Sequence, residues 1–426
     1  MDNFENDYSF DLKFQTGDFI LGTNYQIKQA SMATFMKSIG TIYRDYGTSW
    51  NIQFLNSYAK YKKMISEDLS LSSALYYRNT TVLDNTIYYV VDTAQIGCYR
   101  PNDLIGFECV VNYKASSMFA LTGGVGLEYE RLSNGFSYSY SDSPEHKPPI
   151  PAAPQKIYNN LVSIFFEPRF NILENLYLSG GLRFDQSSVY DKVFTPRAGI
   201  SYRFQDYILR FSYAEAFRAP KPWDYTDGLG NASLLPEKMK SLETAVTFSL
   251  SKDINIDCIG YKNVLDQAIT KEITNDGYKW INSGEVNTDG FEVFVRYFLK
   301  HWNLSLNYTF NQSYNEHGEF VPEISKHSGN AGVTYSFSKY FMINLRANYF
   351  GERQNPKIVN STNSSRIDPY LIFHCTISMI NYEGFTLQFS VKNLLDDEYY
   401  HTSNRPSDRY RQPQRTILLS IGYAIK

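Results

Sequence analysis

The 426-residue sequence lacks any apolar run that approaches the roughly 18 residues of a transmembrane helix. Its first seven residues, Met-Asp-Asn-Phe-Glu-Asn-Asp, have neither the basic start nor the apolar segment of an export signal. It also lacks an excess of positive charge, since 41 Lys and Arg face 44 Asp and Glu for a net charge of -3. We therefore expect no helical membrane span and no nucleic-acid partner.

The signatures of catalysis and of metal binding are missing too. The six histidines show no paired spacing, and no GxSxG, Walker A or CxxC motif occurs. The acidic run 396–398 could hold calcium, but a solvated loop is the favoured interpretation of such a charge run. We expect no enzyme activity, no cofactor and no bound metal. The four cysteines are interpreted as small apolar residues on strands: Cys98, Cys109, Cys258 and Cys375.

Aromatic residues are abundant instead. The sequence has 36 Tyr, 29 Phe and 4 Trp, which make 16% of the chain, yet its mean hydropathy is only -0.38. Apolar and polar residues alternate with a period of two almost throughout, most clearly over 302–311. This period indicates β-strands with one apolar and one polar face.

The alternation predicts nineteen strands, and the connections between them are short and long in turn. That regularity is typical of outer-membrane barrels, whereas soluble sandwiches and propellers mix their loop lengths. A polar lumen also explains charged inward positions such as Arg183, Asp185 and Arg296. The predicted strands are 6–15, 18–28, 48–60, 69–79, 105–115, 117–130, 160–171, 175–186, 193–204, 206–215, 238–250, 254–264, 287–299, 302–314, 325–337, 340–350, 368–379, 384–394 and 413–425.

Five words at these strand positions resemble the barrel domain of TonB-dependent outer-membrane receptors. Residues 181–185 resemble its "GLRxD" strand and 194–202 its "PRxGxxY" strand, and the match is close over about 181–426. The other three words include residues with a structural role in the family motif: Phe217, Arg218, Ala219 and Pro220, followed by Pro236 and Glu237; Gly290 and Glu292 in "NxGxxxxxGxE"; and Asn393, Asp396 and Tyr399 in "NLxDxxY".

The resemblance implies an all-β fold, a large antiparallel transmembrane β-barrel with about 19 strands of a 22-stranded architecture. We expect one barrel domain over 1–426, located in the outer membrane of a Gram-negative bacterium. Family members carry an N-terminal plug and a TonB-contacting segment, and we find neither here because alternation begins by Tyr8. An antiparallel barrel closes with an even number of strands. We therefore expect a truncated or split receptor that lacks the plug and about three strands.

The implied function is the barrel part of a receptor for a scarce bulky solute, a ferric siderophore or cobalamin, inactive alone without a plug. The alternatives are a passive porin-like or structural barrel and a soluble glycan-binding module. Expected partners are outer-membrane lipid and lipopolysaccharide, a small-molecule ligand such as a metal chelate, and TonB only through a plug. Extracellular loops offer candidate ligand contacts, although aromatics packing one loop on another would look the same: Trp223, Tyr225, Asp227, Tyr278, Trp280, Arg353, Tyr399 and Arg405.

Overall fold

Strands make up almost all of the regular structure in this chain. The computed structural model describes residues 5–31, 48–91, 94–141, 148–354, 366–402 and 409–424, and no helix in these ranges is long and apolar enough to cross a membrane. The strands are β1 (Glu5–Thr16), β2 (Phe19–Ser31), β3 (Ser49–Ser66), β4 (Leu69–Val91), β5 (Ala94–Lys114), β6 (Phe119–Ser133), β7 (Ser137–Ser141), β8 (Lys156–Leu173), β9 (Leu176–Ser187), β10 (Asp191–Phe204), β11 (Tyr207–Arg218), β12 (Glu237–Ser251), β13 (Ile254–Thr274), β14 (Gly277–Leu299), β15 (Trp302–Asn315), β16 (His327–Ser336), β17 (Phe341–Phe350), β18 (Arg353–Gln354), β19 (Arg366–Ile367), β20 (Tyr370–Tyr382), β21 (Phe385–Lys392), β22 (Tyr400–Thr402), β23 (Arg409–Arg411) and β24 (Thr416–Tyr423).

One 20-stranded antiparallel sheet contains all but the four shortest of these strands. Nineteen of its members follow one another as a meander, and the twentieth, β7, pairs only with the upper part of β5. Each of the nineteen predicted strands corresponds to one strand of the meander. The predicted all-β class, with about 19 antiparallel strands, is confirmed.

The connections lie at two distinct ends of the sheet. At one end β1–β2, β10–β11 and β20–β21 are joined by two-residue turns, as are most other hairpins there. At the opposite end, which we call the mouth, long connections include 219–236 and 316–326. The predicted alternation of short and long connections holds for most hairpins, but the mouth connections after β4, β9 and β13 have no more than three residues.

One predicted loop, 265–286, is wrong. β13 and β14 continue through it as a long hairpin closed by a two-residue turn, and we call these residues the rim hairpin. The register shifts between Leu265 and Ala268, where Gln267 has a φ of 56°. An extra residue of this kind interrupts the period of two. For this reason alternation did not predict the strands here, or in β4 above Val82, where the register also shifts.

The sheet has one apolar and one polar face, and the apolar face is exposed. Phe10, Leu12 and Phe14 alternate along β1 with exposures of 55–58%, and the outward residues of β24 behave similarly. Fully buried apolar side chains are few among the described residues. An exposed apolar band with a polar opposite face is what a strand wall in lipid requires.

The polar face carries hydrogen-bonded charges. Arg183 donates from Nε and Nη2 to the two oxygens of Asp185, each at 2.8 Å. Ser163 Oγ donates to the same carboxylate at 2.6 Å, and Asp185 is 0% exposed. A similar chain joins Arg296 to Asp257. The predicted inward placement of these charges agrees with the register, in which directly opposed residues share a face.

Aromatic rings on the polar face lie across glycines of the neighbouring strand. Tyr261 covers Gly290, where an added Cβ would lie 2.5 Å from the ring and 2.6 Å from the backbone oxygen of Phe310. The same arrangement joins Tyr76 to Gly106. Tyr76 Oη also donates to Glu128, so its ring faces the polar side in mid-strand.

The first and last strands of the meander have one neighbour each. β1 pairs with β2 and β24 with β21, and no pairing between β1 and β24 occurs within the described residues. The meander has nineteen antiparallel strands, counting β1 and β24. Because that number is odd, β1 and β24 run in the same direction.

Candidate functional site at the mouth

The loop between β11 and β12 crosses the polar face at the mouth. We call residues 219–236 the bridge loop. Its Trp223 stacks on the guanidinium of Arg100 from β5, with 3.7 Å from the Arg100 carbon to the ring centroid. Its Thr226 Oγ1 donates to the backbone oxygen of Asn134 at 2.8 Å. One side of the mouth is thereby joined to the bridge loop.

The other end of the bridge loop is attached to the rim hairpin. Asp227 accepts hydrogen bonds from Tyr278 Oη at 2.9 Å and from Trp280 Nε1 at 3.0 Å. The backbone nitrogen of Leu229 donates to the backbone oxygen of Tyr278 at 2.7 Å. Gly228 permits this contact, because its φ is 65° and an added Cβ would collide with that same oxygen. These contacts bring three predicted ligand residues, Asp227, Tyr278 and Trp280, into one cluster.

The environment perturbs the titratable groups of this cluster. The hydrogen bond to Asp227 raises the pKa of Tyr278. Burial raises the pKa of Tyr225 to about 12, and its hydroxyl has no hydrogen-bond partner in the described part of the chain. Lys271 Nζ lies 3.3 Å from the centroid of the Tyr278 ring. Tyr225 therefore has an unused hydroxyl, whereas the side chains of Asp227, Tyr278 and Trp280 are hydrogen-bonded to one another.

Arg100 also belongs to this site, although the sequence gives no indication of it. Its guanidinium lies between the rings of Trp223 and Phe136, 4.8 Å from the latter, and burial lowers its pKa to about 10. It remains a cation at neutral pH. No local motif marks Arg100, since its contact with Trp223 joins residues far apart in the chain.

A second aromatic cluster surrounds Arg353, which was also predicted. The guanidinium carbon lies 5.4 Å from the Tyr370 ring centroid and 5.8 Å from that of Phe350. Tyr399 packs on Tyr370 at 4.8 Å, and Tyr370 Oη is hydrogen-bonded to His401 Nε2 at 3.1 Å. Burial, reinforced by the Arg353 charge, lowers the pKa of His401. We call these five residues the Arg353 cluster; the predicted Arg405 lies outside the described residues.

The motif residues build the mouth. Arg218, which ends β11, forms an ion pair with Glu237, which begins β12. Glu237 Oε1 also accepts from the backbone nitrogen of Ile269 at 2.7 Å. Burial would raise the pKa of Glu237, but these hydrogen bonds lower it. The pair therefore clamps both ends of the bridge loop to the rim hairpin. Pro220 and Pro236 are buried, Ala219 is half-buried, and Phe217 packs on Tyr190 at 6.1 Å.

The other motif words have local roles. Asn393 exchanges two hydrogen bonds with the Asp397 backbone at 2.8 and 3.0 Å, and both Asn393 and Asp396 adopt positive φ. Asp396 accepts from the Arg415 nitrogen at 2.7 Å. This word therefore forms the turn after β21. Glu292 lies half-buried on the polar face two residues beyond Gly290. No group of three or more His, Cys, Asp or Glu side chains in the described ranges could hold a metal ion.

Fold and site together define a membrane-type β-barrel wall whose mouth is crossed by an aromatic loop. The chain belongs to the family described as TonB dependent receptor-like, beta-barrel, whose model matches residues 2–394. That match extends the resemblance well upstream of residue 181. Members of this family are outer-membrane proteins of Gram-negative bacteria.

Individual relatives are distant. The chain is 19% identical over 328 residues to the probable TonB-dependent siderophore receptor PirA of Acinetobacter baumannii, and the match covers 63% of this chain and 43% of the relative. Solved structures with a similar fold include the siderophore receptor PirA from Acinetobacter baumannii, with a TM-score of 0.76 and 14% identity over 98% of this chain and 70% of that one. The ferric citrate transporter FecA gives the same values. The chain thus spans less than half of the curated relative.

Proposed function

We propose that this chain forms the wall and the extracellular capture surface of a receptor for outer-membrane uptake of a scarce, bulky solute. The observation that carries the proposal is the bridge loop. It places Trp223, Tyr225 and Asp227 over the polar face, between β5 and the rim hairpin. Aromatic platforms with a few placed polar groups are suited to large ligands. Iron chelates are the favoured class, because both named relatives act on them, and cobalamin is the other candidate.

The candidate capture residues fall into two groups. The first comprises the bridge loop and the rim hairpin, with Trp223, Tyr225, Asp227, Tyr278 and Trp280. The second comprises Arg353 and Tyr399 in the Arg353 cluster, to which we add Arg405 from the sequence. Tyr278 and Trp280 both donate to Asp227, so a solute that binds Asp227 would exchange these hydrogen bonds for its own.

Ligand binding is tested by tryptophan fluorescence of the full chain in detergent micelles, with ferric citrate and cyanocobalamin as probes. Since Trp223 and Trp280 are at the mouth, a bound probe should quench them. Replacement Trp223→Phe should remove part of the response. Trp302→Phe is the matched control, because Trp302 begins β15 at the short-turn end. The proposal fails if neither probe changes the emission, or if Trp302→Phe alone abolishes the change.

In the whole protein, we propose that TonB acts through a plug domain and that lipid and lipopolysaccharide contact the apolar outer face. Proteoliposomes containing this chain alone should show no TonB-driven uptake of ferric citrate. The porin-like alternative predicts instead a steady ion conductance through an open lumen in planar bilayers. The bridge loop across the mouth favours the receptor, and a large conductance unaffected by deletion of that loop would favour the porin.

A further inference from the structure

A cavity of about 280 Å³ lies beside the Arg353 cluster. The connection between β15 and β16 forms one wall and the residues after β17 form the other, with Phe320, Lys326, Glu352 and Arg353 among its lining residues. Its volume is at the lower limit of ligand pockets, so it suits one chemical group of a large solute better than the whole solute.

Arg353 lines this cavity and carries a buried donor. Arg353 is only 9% exposed, and its Nε has no hydrogen-bond partner among the residues that the structure describes. Its Nη2 donates to the backbone oxygen of Tyr400 at 3.0 Å, and this hydrogen bond fixes the plane of the guanidinium. Among the described residues, no carboxylate oxygen lies within 4 Å of it. Burying a cation with an unpaired N–H group costs free energy unless an acceptor forms a hydrogen bond with that group.

The other charges of the cavity leave it positive. Lys326 Nζ lies 3.6 Å from the centroid of the Phe320 ring and has no carboxylate within 4 Å in the described part of the chain. Glu352, the one acidic residue among the described residues of the lining, is paired with Arg366 at 2.7 Å. Lys326 and Arg353 therefore give the lining a positive charge, because Arg366 already compensates the charge of Glu352.

We propose that this cavity is a subsite for an oxyanion, a carboxylate or phosphate group, held between the Arg353 guanidinium and Lys326 Nζ. Arginine is suited to such groups because its fork of donors matches their geometry. The subsite deepens the proposed receptor function, since it would orient the anionic part of a captured solute. It commits the solute to carry at least one exposed oxyanion.

The test is isothermal titration calorimetry of the full chain in detergent micelles with citrate and with inorganic phosphate. We expect saturable binding of at least one probe. Arg353→Gln should weaken it at least about tenfold, since a charge-assisted hydrogen bond is lost. Lys326→Gln should weaken it by a smaller factor. Arg411→Gln is the matched control and should change nothing, because Arg411 is a mouth arginine already paired with Glu398 at 3.0 Å.

Lys326→Gln also guards against misfolding, because its side chain makes no hydrogen bond to the Tyr400 backbone. Variants that keep the heat-dependent gel shift of the wild type count as folded. The subsite is refuted if neither probe binds at about 10 mM, where a millimolar site is nearly saturated, or if both cavity variants bind as the wild type does. Capture of ferric citrate unaffected by Arg353→Gln would refute the subsite while leaving the receptor function intact.

Discussion

Replacing Arg183 by methionine should be among the most destabilising changes on the polar face. The variant removes both 2.8 Å hydrogen bonds to Asp185, which is 0% exposed, and leaves only the one from Ser163. Deleting one partner of a buried ion pair costs about 3–5 kcal/mol. The full value applies here because the charge left behind is the buried one.

The reverse variant should cost less. Asp185→Asn removes the ion-pair partner of Arg183, but Ser163 still accepts from Arg183 Nη2 at 3.0 Å and the side chain is 47% exposed, so water can solvate it. We expect about 1–3 kcal/mol for the lost charged hydrogen bonds. Arg197→Met is the matched control on the next strand, since Arg197 and Glu167 are 55% and 23% exposed and such a pair contributes about 0–1 kcal/mol.

Urea-dependent unfolding in lipid vesicles, followed by the heat-dependent gel shift, measures all three variants. The expected order of destabilisation is Arg183→Met, then Asp185→Asn, then Arg197→Met. Equal losses for the two arginine variants would contradict the reasoning, because burial of the partner would then have no influence. A larger loss for Asp185→Asn than for Arg183→Met would contradict it as well.

Three further outcomes are expected. Gly290→Ala should lose about 1–3 kcal/mol in the same assay, since the Phe310 backbone cannot retreat cheaply, whereas Gly260→Ala, where an added Cβ meets nothing within 4 Å, should not. Asp227→Ala should speed amide hydrogen exchange of the bridge loop and lower the raised pKa of Tyr278. Acidification through pH 6.5 should loosen β22, measured by exchange at Thr402, because the lowered pKa of His401 means that the open form takes up the proton first.

Each of these has its own control. Glu272→Gln removes a rim-hairpin carboxylate whose partner is Lys279 at 3.2 Å, and it should leave exchange of the bridge loop unchanged. His401→Gln should abolish the pH dependence of exchange in β22. If the dependence persists in that variant, another group is responsible for it.

The strands could be predicted from the sequence because a wall between lipid and a polar interior imposes a strict period of two. Prediction failed where that period is interrupted. The residue inserted at Gln267 reverses the alternation, so the sequence pattern predicts a loop where the rim hairpin lies. The tall part of β4 was missed for the same reason.

The site could be predicted only in part. Trp223, Asp227 and Trp280 were found because aromatic loops at the mouth are natural ligand surfaces. Their mutual hydrogen bonds could not be foreseen, since the rim hairpin was not recognised. Arg100 and Lys326 were not predicted because their roles depend on residues far away in the chain, Trp223 for Arg100 and Arg353 for Lys326, and a single sequence does not reveal that proximity.

The rings that lie across glycines on the polar face influence the shape of the interior. A tyrosine over Gly106 or Gly290 stays flat against the sheet, so it adds little thickness to the wall. A side chain at either position would lift the ring toward the axis and narrow the passage. These glycines therefore widen the bore at fixed strand number. Their replacement would hinder the passage of a bulky solute even where the wall remained stable.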